Sequence, residues 1–412
     1  MKKYLYLLII AFSFVFNYNY VTAININDAK EYELEQKEFE LSAKNAILYN
    51  LTDNFILYDK DSNEEVQIAS LTKIMTAIVA IENINNLDEK ITIKKEVFNN
   101  LEEYAQAGFK IGQETTYRDL LYGVLLPSGA DAVNALILNV TEKKEEFIKL
   151  MNDKAQELGL EHTKFDNGIG MDSENNYSTA HDLAVLLNYA ITNKEFYKIF
   201  TTKNYNIESL NLKLESTLLH YGKNIDTSII KGAKSGFTDE AGVCLASITS
   251  KDNIDYLLII LGASGNDRAN AIKDTIKLYD YYTKNFSHKI VTKENQELKK
   301  INIKWGKKKT YSIKSKKEIS LYLNNDIDLN DIKKEYTGIE ELNYKIKKGT
   351  KLGNVTLKYN NIVLNSSDVY LDEDISYYHP IIYTIIGVII FFMTIVFIKK
   401  KKKKKRRRKK RR

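Results

Sequence analysis

Eighteen consecutive residues without a charge, Ile381 to Ile398, run directly into fourteen Lys and Arg residues at 399–412. As a helix with ~1.5 Å rise per residue, the apolar run covers most of a ~30 Å hydrocarbon core. Tyr377, Tyr378 and His379 precede it, where amphipathic rings settle at a membrane interface. Positive residues stay on the cytoplasmic side, so the sequence predicts a transmembrane helix at 381–398, a polybasic cytoplasmic tail at 399–412 and an extracytoplasmic body. Directly after a span, such a tail contacts anionic headgroups in preference to nucleic acid. The other end agrees. Met1-Lys2-Lys3, an apolar stretch from Tyr4 to Phe16 and a small residue at Ala23 predict a signal peptide over 1–23.

These ends also explain the net charge of +7. Setting aside the fourteen basic residues of the tail and Lys2 and Lys3 reduces 61 Lys and Arg to 45, against 54 Asp and Glu, a net of −9. A body of that sign does not grip nucleic acid. The single cysteine, Cys244, excludes an intramolecular disulfide and a Cys-cluster metal site. The five histidines lack metal-ligand spacing, and neither metal nor cofactor is implied.

Within the body the hydrophobic period changes along the chain. Ala46–Leu51 and Phe55–Asp59 read as strands around a turn at 52–54. From Ala69 the period becomes helical, with Leu71, Ile74, Met75, Ile78 and Ile81 on one face. Further helical stretches run from Leu120 to Val140 (broken near Pro127-Ser128-Gly129), from Phe147 to Leu158 and from Thr179 to Ile191. Lys231–Ser250 and Tyr256–Gly262 read as strands, and Asn266–Tyr282 as a helix. Strands, a helical middle, more strands and a closing helix predict an α+β domain with one main sheet over 24–288. Beyond His288, Ile301–Trp305, Thr310–Ile313, Ile319–Leu323 and Val355–Tyr359 alternate apolar and polar residues, which predicts a small β-rich domain over 289–375.

Three short motifs could carry chemistry. In Ser70-Leu71-Thr72-Lys73 the serine and lysine share a helix face, and a neutral lysine can take the proton of a serine nucleophile. Ser228-Ile229-Ile230-Lys231 has the same spacing, but Ser70 opens an amphipathic helix whose N-terminal N–H groups favour negative charge. Pro127-Ser128-Gly129-Ala130-Asp131 exposes a serine on a break between helices. Lys234-Ser235-Gly236 lies in a strand, where a glycine leaves room for a substrate against the strand edge.

In this order, with flanks such as Ile68–Ala77, Leu125–Ala132, Tyr177–Ala184 and Lys234–Gly242, the chain resembles the D-alanyl-D-alanine carboxypeptidases, low-molecular-mass penicillin-binding proteins. The resemblance spans about residues 45–285 and continues into the β-rich region. It implies a penicillin-binding-protein/serine β-lactamase-like domain of helices and antiparallel sheet. It also implies a peptidoglycan stem peptide ending in D-Ala-D-Ala as substrate, β-lactams as inhibitors and a C-terminal membrane anchor. Carried over by position, it makes Ser70 the acylated nucleophile, Lys73 its general base and Ser128 a proton relay. Lys234 holds charge in the site, Ser235 takes the place of the more usual threonine at the substrate carboxylate, and Gly236 completes the motif. The N–H groups of Ser70 and Phe237 form the oxyanion hole, and Arg268 stands near the terminal carboxylate.

Two departures bear on activity. Ala130 occupies a position where the family usually has an asparagine that binds the substrate backbone, and Gly168 replaces a frequent proline. Two alternatives therefore stand beside the carboxypeptidase. One is a non-catalytic wall-binding or β-lactam-sensing relative, favoured by Ala130. The other is a serine β-lactamase, for which no additional glutamate motif is evident.

Overall fold

The computed structural model describes residues 25–409 apart from 35, 36, 100, 102, 142 and 379. The signal-peptide reading over 1–23 lies outside the described residues, as do His379 and the last three residues of the tail. The chain divides into two compact units, one running to Lys284 and the other beginning at Asn285.

The first unit is built on six strands: β1 (Lys30–Glu31), β2 (Asn45–Asn50), β3 (Phe55–Lys60), β4 (Gly232–Thr238), β5 (Gly242–Lys251) and β6 (Ile254–Ala263). Their order across the sheet is β1-β3-β2-β6-β5-β4. Every pairing is antiparallel except that of β1 with β3. Among the described residues seven α-helices fall between β3 and β4: α1 (Thr72–Asn83), α2 (Tyr117–Leu125), α3 (Ala130–Val140), α4 (Lys144–Glu157), α5 (Ala180–Ala190), α6 (Lys194–Phe200) and α7 (Thr217–Tyr221). A further helix, α8 (Asn270–Asn285), follows β6.

All of β2 is buried, and so is most of β6, because helices cover both faces of the sheet. On one face Ile47, Tyr49, Ala246, Ile248, Leu257 and Ile259 join the core with α1 and α5. Ser247 points to the opposite face by the period of two. There its Oγ lies 3.0 Å from the Tyr279 hydroxyl of α8. The Tyr282 hydroxyl of the same helix donates to Leu57 O at 2.5 Å.

Two sequence expectations need correction, and two short helices were not expected. Lys231–Ser250 is a hairpin of two strands, turning through Gly242 at φ +65°. The α-helix expected from Ala69 begins at Thr72, after a single 3-10 turn over Ala69–Leu71. Ala69 itself has φ +46°, which an α-helix cannot contain. Helices α6 and α7 were not legible as apolar periods, being only seven and five residues long.

In the second unit β7 (Phe286–Thr292) pairs with β10 (Ile319–Asn324). Strand β8 (Glu297–Ile303) lies between β9 (Thr310–Lys314) and β12 (Glu341–Leu342), and β13 (Lys351–Tyr359) between β11 (Lys333–Gly338) and β14 (Ile362–Tyr370). Ile301, Ile303, Tyr311, Ile313, Leu342, Leu352 and Leu371 form a small core. The alternation expected to run through Trp305 stops at Ile303, and Trp305 sits in the β8–β9 turn at φ +61°. After the strands comes α9 (Pro380–Lys409). It is long enough to cross a membrane, and its most apolar 18-residue window, within Ile382–Arg407, has a mean hydropathy of 2.4.

One buried carboxylate ties the start of α3 to the segment 107–109. Asp131, in the first turn of α3, accepts from the backbone N–H groups of Ala107, Gly108 and Phe109 at 2.6, 2.9 and 3.1 Å. Asp131→Ala leaves those donors unsatisfied and should destabilise the fold by about 3 kcal/mol or more. Asp131→Asn, which retains one acceptor oxygen, should lose less. Urea unfolding midpoints of the two variants check the order.

Candidate active site

Helix α1 is buried along Thr72–Ile81, as expected of a helix that is apolar nearly all round. Lys73 is therefore carried into the core, with 1% of its surface exposed. Its Nζ lies 2.8 Å from Ser70 Oγ and donates to Ile169 O at 2.5 Å. Burial lowers the lysine pKa to about 7, and the Asp131 carboxylate opposes part of that shift. Near neutrality a substantial fraction of Lys73 is then the free amine, able to accept the proton of Ser70.

The backbone around Ser70 is forced into place from two sides. Gly170, at φ +87°, approaches so closely that a Cβ there would lie 2.0 Å from Ala69 O. A Cβ on Gly236 would lie 2.9 Å from Ser70 N and 3.1 Å from Ala69 Cβ. The bare face of Gly236 is thus filled by the serine's own turn. The loop carrying Gly170 is held by Asn167 Oδ1, which accepts from Gly170 N at 2.7 Å and Met171 N at 2.9 Å. Thr76 Oγ1 ties it to α1 by donating to Gly168 O at 2.8 Å.

Ser128 lies between α2 and α3 at φ +66°, a conformation a serine holds only when its surroundings impose it. Its Oγ accepts from Lys234 Nζ at 2.9 Å. Lys234 is fully buried on β4 and also donates to Ser235 O at 2.6 Å. Burial, and then the charge of Lys73, hold its pKa well below the usual lysine value. The repulsion is reciprocal: protonating either lysine disfavours protonating the other.

Around this centre Ser235 Oγ donates to Thr217 Oγ1 at 2.7 Å. Phe237 follows on β4, and the Arg268 guanidinium stacks over its ring. Thr238 Oγ1 donates to Asp172 Oδ1 at 2.8 Å, joining β4 to the loop after Gly170. The structure thus brings Ser70 to Lys73, Ser128 to Lys234, and Arg268 to the Lys234–Phe237 segment. Ala130 is buried at the start of α3, its N–H donating to Ala105 O at 2.7 Å.

The second Ser-x-x-Lys pair does not assemble. Ser228 is exposed in a turn, and Lys231 Nζ lies over the Tyr197 ring. Cys244 is buried, which pushes its thiol up to about 12 and leaves it inert. Sequence reasoning missed Thr217 and Ile169. Ser216 does cap α7, its Oγ accepting from Leu218 N, but a cap signal carries no information about which strand the helix meets. Among the described residues no group of three or more His, Cys, Asp or Glu side chains converges as a metal-ligand set.

Residues 31–265 match the D-alanyl-D-alanine carboxypeptidase family, and residues 286–377 match the penicillin-binding protein 5 C-terminal domain. The chain belongs to the D-alanyl-D-alanine carboxypeptidase family. Its activity is that of a serine-type D-Ala-D-Ala carboxypeptidase, a hydrolase. It is 31% identical to the D-alanyl-D-alanine carboxypeptidase DacF of Bacillus subtilis over 355 residues, 84% of this chain and 89% of that one. The solved DacD carboxypeptidase of Francisella tularensis shares the fold, with a TM-score of 0.64 at 22% identity over 84% of this chain and 98% of that one. The Streptomyces K15 DD-transpeptidase superposes with a TM-score of 0.55 at 29% identity, over 60% of this chain and 98% of that one.

Two outcomes check this geometry. Gly170→Ala should abolish acylation by benzylpenicillin, because its Cβ drives the Ala69–Ser70 backbone away from Lys73; intact mass after drug exposure reads this. Lys73→Met should raise stability, because the folded state no longer buries an amine. The cost of Lys73 is fully present below its folded pKa of about 7 and is relieved as pH rises towards the unfolded value of 10.5. The gain should therefore be several kcal/mol at pH about 6 and shrink through the alkaline range, as denaturant titrations at several pH values would show.

Proposed function

We propose that Ser70, Lys73, Ser128, Lys234 and Ser235 carry out hydrolysis of the terminal D-alanine from peptidoglycan stem peptides, and that β-lactams acylate the same serine. The observation that most supports this reading is the 2.8 Å contact of Ser70 Oγ with a buried lysine whose pKa is lowered to about 7.

In this reading neutral Lys73 takes the Ser70 proton as Oγ bonds to the carbonyl carbon of the penultimate D-alanine. The carbonyl electron pair moves onto oxygen, where the N–H groups of Ser70 and Phe237 receive it; one such donor is worth about 3 kcal/mol. When C=O re-forms, the C–N bond breaks and the departing nitrogen takes, through Ser128, the proton that Lys73 removed from Ser70. Lys73 is then neutral again, and Lys234 keeps its proton while donating to Ser128 Oγ. Water then attacks the ester; Lys73 takes its proton and returns it to Ser70 Oγ as the acyl–oxygen bond breaks. Lys234, Ser235 and Arg268 receive the terminal carboxylate. Its charge offsets the burial of Lys234 and restores that lysine's proton, while Lys73 stays neutral as base. Gly236 serves by letting the Ser70 turn pack on β4. Ala130 supplies no side-chain amide to the substrate backbone, so binding rests more heavily on these carboxylate contacts.

The same reading puts the catalytic domain over 24–284, four residues short of the boundary expected from the sequence, after export by a signal peptide, followed by the β-rich domain from Asn285. The span at 381–398 then holds the body outside the cell membrane and leaves the tail at 399–412 in the cytoplasm.

Ser70→Ala should lose D-alanine release entirely and form no benzylpenicillin adduct while keeping the wild-type thermal transition. For the wild type, kcat/KM should rise with pH through about 7, as Lys73 gives up its proton. A pH–rate profile on a D-Ala-D-Ala peptide measures that limb. The non-catalytic alternative, whose main support is Ala130, requires that wild-type protein release no D-alanine.

A further inference from the structure

The β8–β9 turn, Lys304 to Lys309, contains Trp305, the sole tryptophan of the chain, and four lysines. Trp305 is 54% exposed at φ +61°, and Lys304, Lys307, Lys308 and Lys309 are all exposed. An exposed tryptophan at a strained backbone position has no account in the packing of this domain. The turn is tied by its backbone to the residues just before α9. Tyr378 N donates to Trp305 O at 2.6 Å, Lys307 N donates to Ser376 O at 2.8 Å, and Gly306 pairs with Tyr377.

Tyr378 is three residues from Ile381, where the uncharged run begins. At a maximum of ~3.5 Å per residue, those residues extend ~10 Å at most. The Tyr378 ring also meets the ring of Tyr383, inside the run, at 5.9 Å. If α9 is in the bilayer, the turn cannot stand clear of the headgroup layer.

We propose that this turn is a second membrane contact, with Trp305 seated at the lipid interface and the lysines on anionic phospholipid headgroups. The chemistry suits that partner: an indole prefers the interface, and ammonium groups on flexible stems meet phosphates. Carboxylates are near two of the lysines, Glu341 at 3.8 Å from Lys304 and Glu373 at 3.8 Å from Lys308. Among the described residues Lys307 and Lys309 have no carboxylate within ion-pair distance. Joined by backbone pairing to the residues just before α9, the turn fixes how the β-rich domain rises from the membrane. The proposal rests on the anchoring reading of α9.

Trp305 is its own reporter in the full-length protein, reconstituted into phosphatidylcholine vesicles with or without phosphatidylglycerol. Its emission should shift to the blue, resist acrylamide, and be quenched more by bromines placed near the headgroups than by those near the chain ends. Lys307→Glu with Lys309→Glu should lose acrylamide protection in the anionic vesicles while the protein still floats with lipid in alkaline carbonate. Water-like emission and full acrylamide access in protein that floats would overturn the inference and leave the anchor standing. Unchanged protection in the double variant would overturn the headgroup contact. Protein that does not float would bring down the anchoring reading and this inference together.

Discussion

Two lysines buried beside one another, Lys73 on α1 and Lys234 on β4, are the constraint on which this fold turns. Each carries a desolvation cost that a surface lysine does not, and each repels the other's charge. The fold meets that cost with oriented oxygens. Ile169 O and Ser70 Oγ face Lys73, while Ser128 Oγ and Ser235 O face Lys234. The buried Asp131 carboxylate adds a fixed opposing charge. The result is an amine that exchanges its proton near neutrality, next to a serine that needs a base.

Holding these groups requires backbone that the chain would not adopt alone. Ala69 and Ser128, each adjacent to or at a site residue, have positive φ, a conformation that costs on the order of 1–3 kcal/mol for a residue with a side chain. Each is held by close neighbours. Gly170 and Gly236 press on the Ala69–Ser70 turn, and Gly129 N, beside Ser128, donates to Gly123 O. Strand β4 stands at the edge of the sheet with β5 as its strand partner, and the Ala69–Ser70 turn packs on the face where Gly236 carries no side chain.

Much of this was legible in the residues. The runs of β2, β3, β5 and β6 and the long periods of α1 and α3–α5 stand out because apolar spacing reports directly on which faces are covered. Ser70 with Lys73 was legible because i, i+3 spacing on a helix is local geometry. Short elements escaped: β1 is two residues long and α7 five, too few for a period to develop. The Lys231–Ser250 stretch hid its hairpin because its first arm, with Lys234, Ser235 and two glycines, has no clean alternation, and its turn over 239–241 is short. Thr217 and Ile169 escaped for another reason. Each meets its partner, Ser235 or Lys73, across a long sequence separation through one polar contact, and no local pattern encodes such a contact.

The sequence by itself determined the element types, the apolar C-terminal run and the pairing of a serine with a lysine one helical turn away, all of which depend on neighbours within a few residues. Only the tertiary structure decided that Lys73 is buried to the point of losing its proton near neutrality. It likewise decided that Lys234 turns onto Ser128, that Gly236 is filled by the Ser70 turn and that Trp305 leaves its strand to pair with Tyr378. Desolvation and charge repulsion are properties of surroundings assembled from distant segments, so they come into being only when the chain has folded.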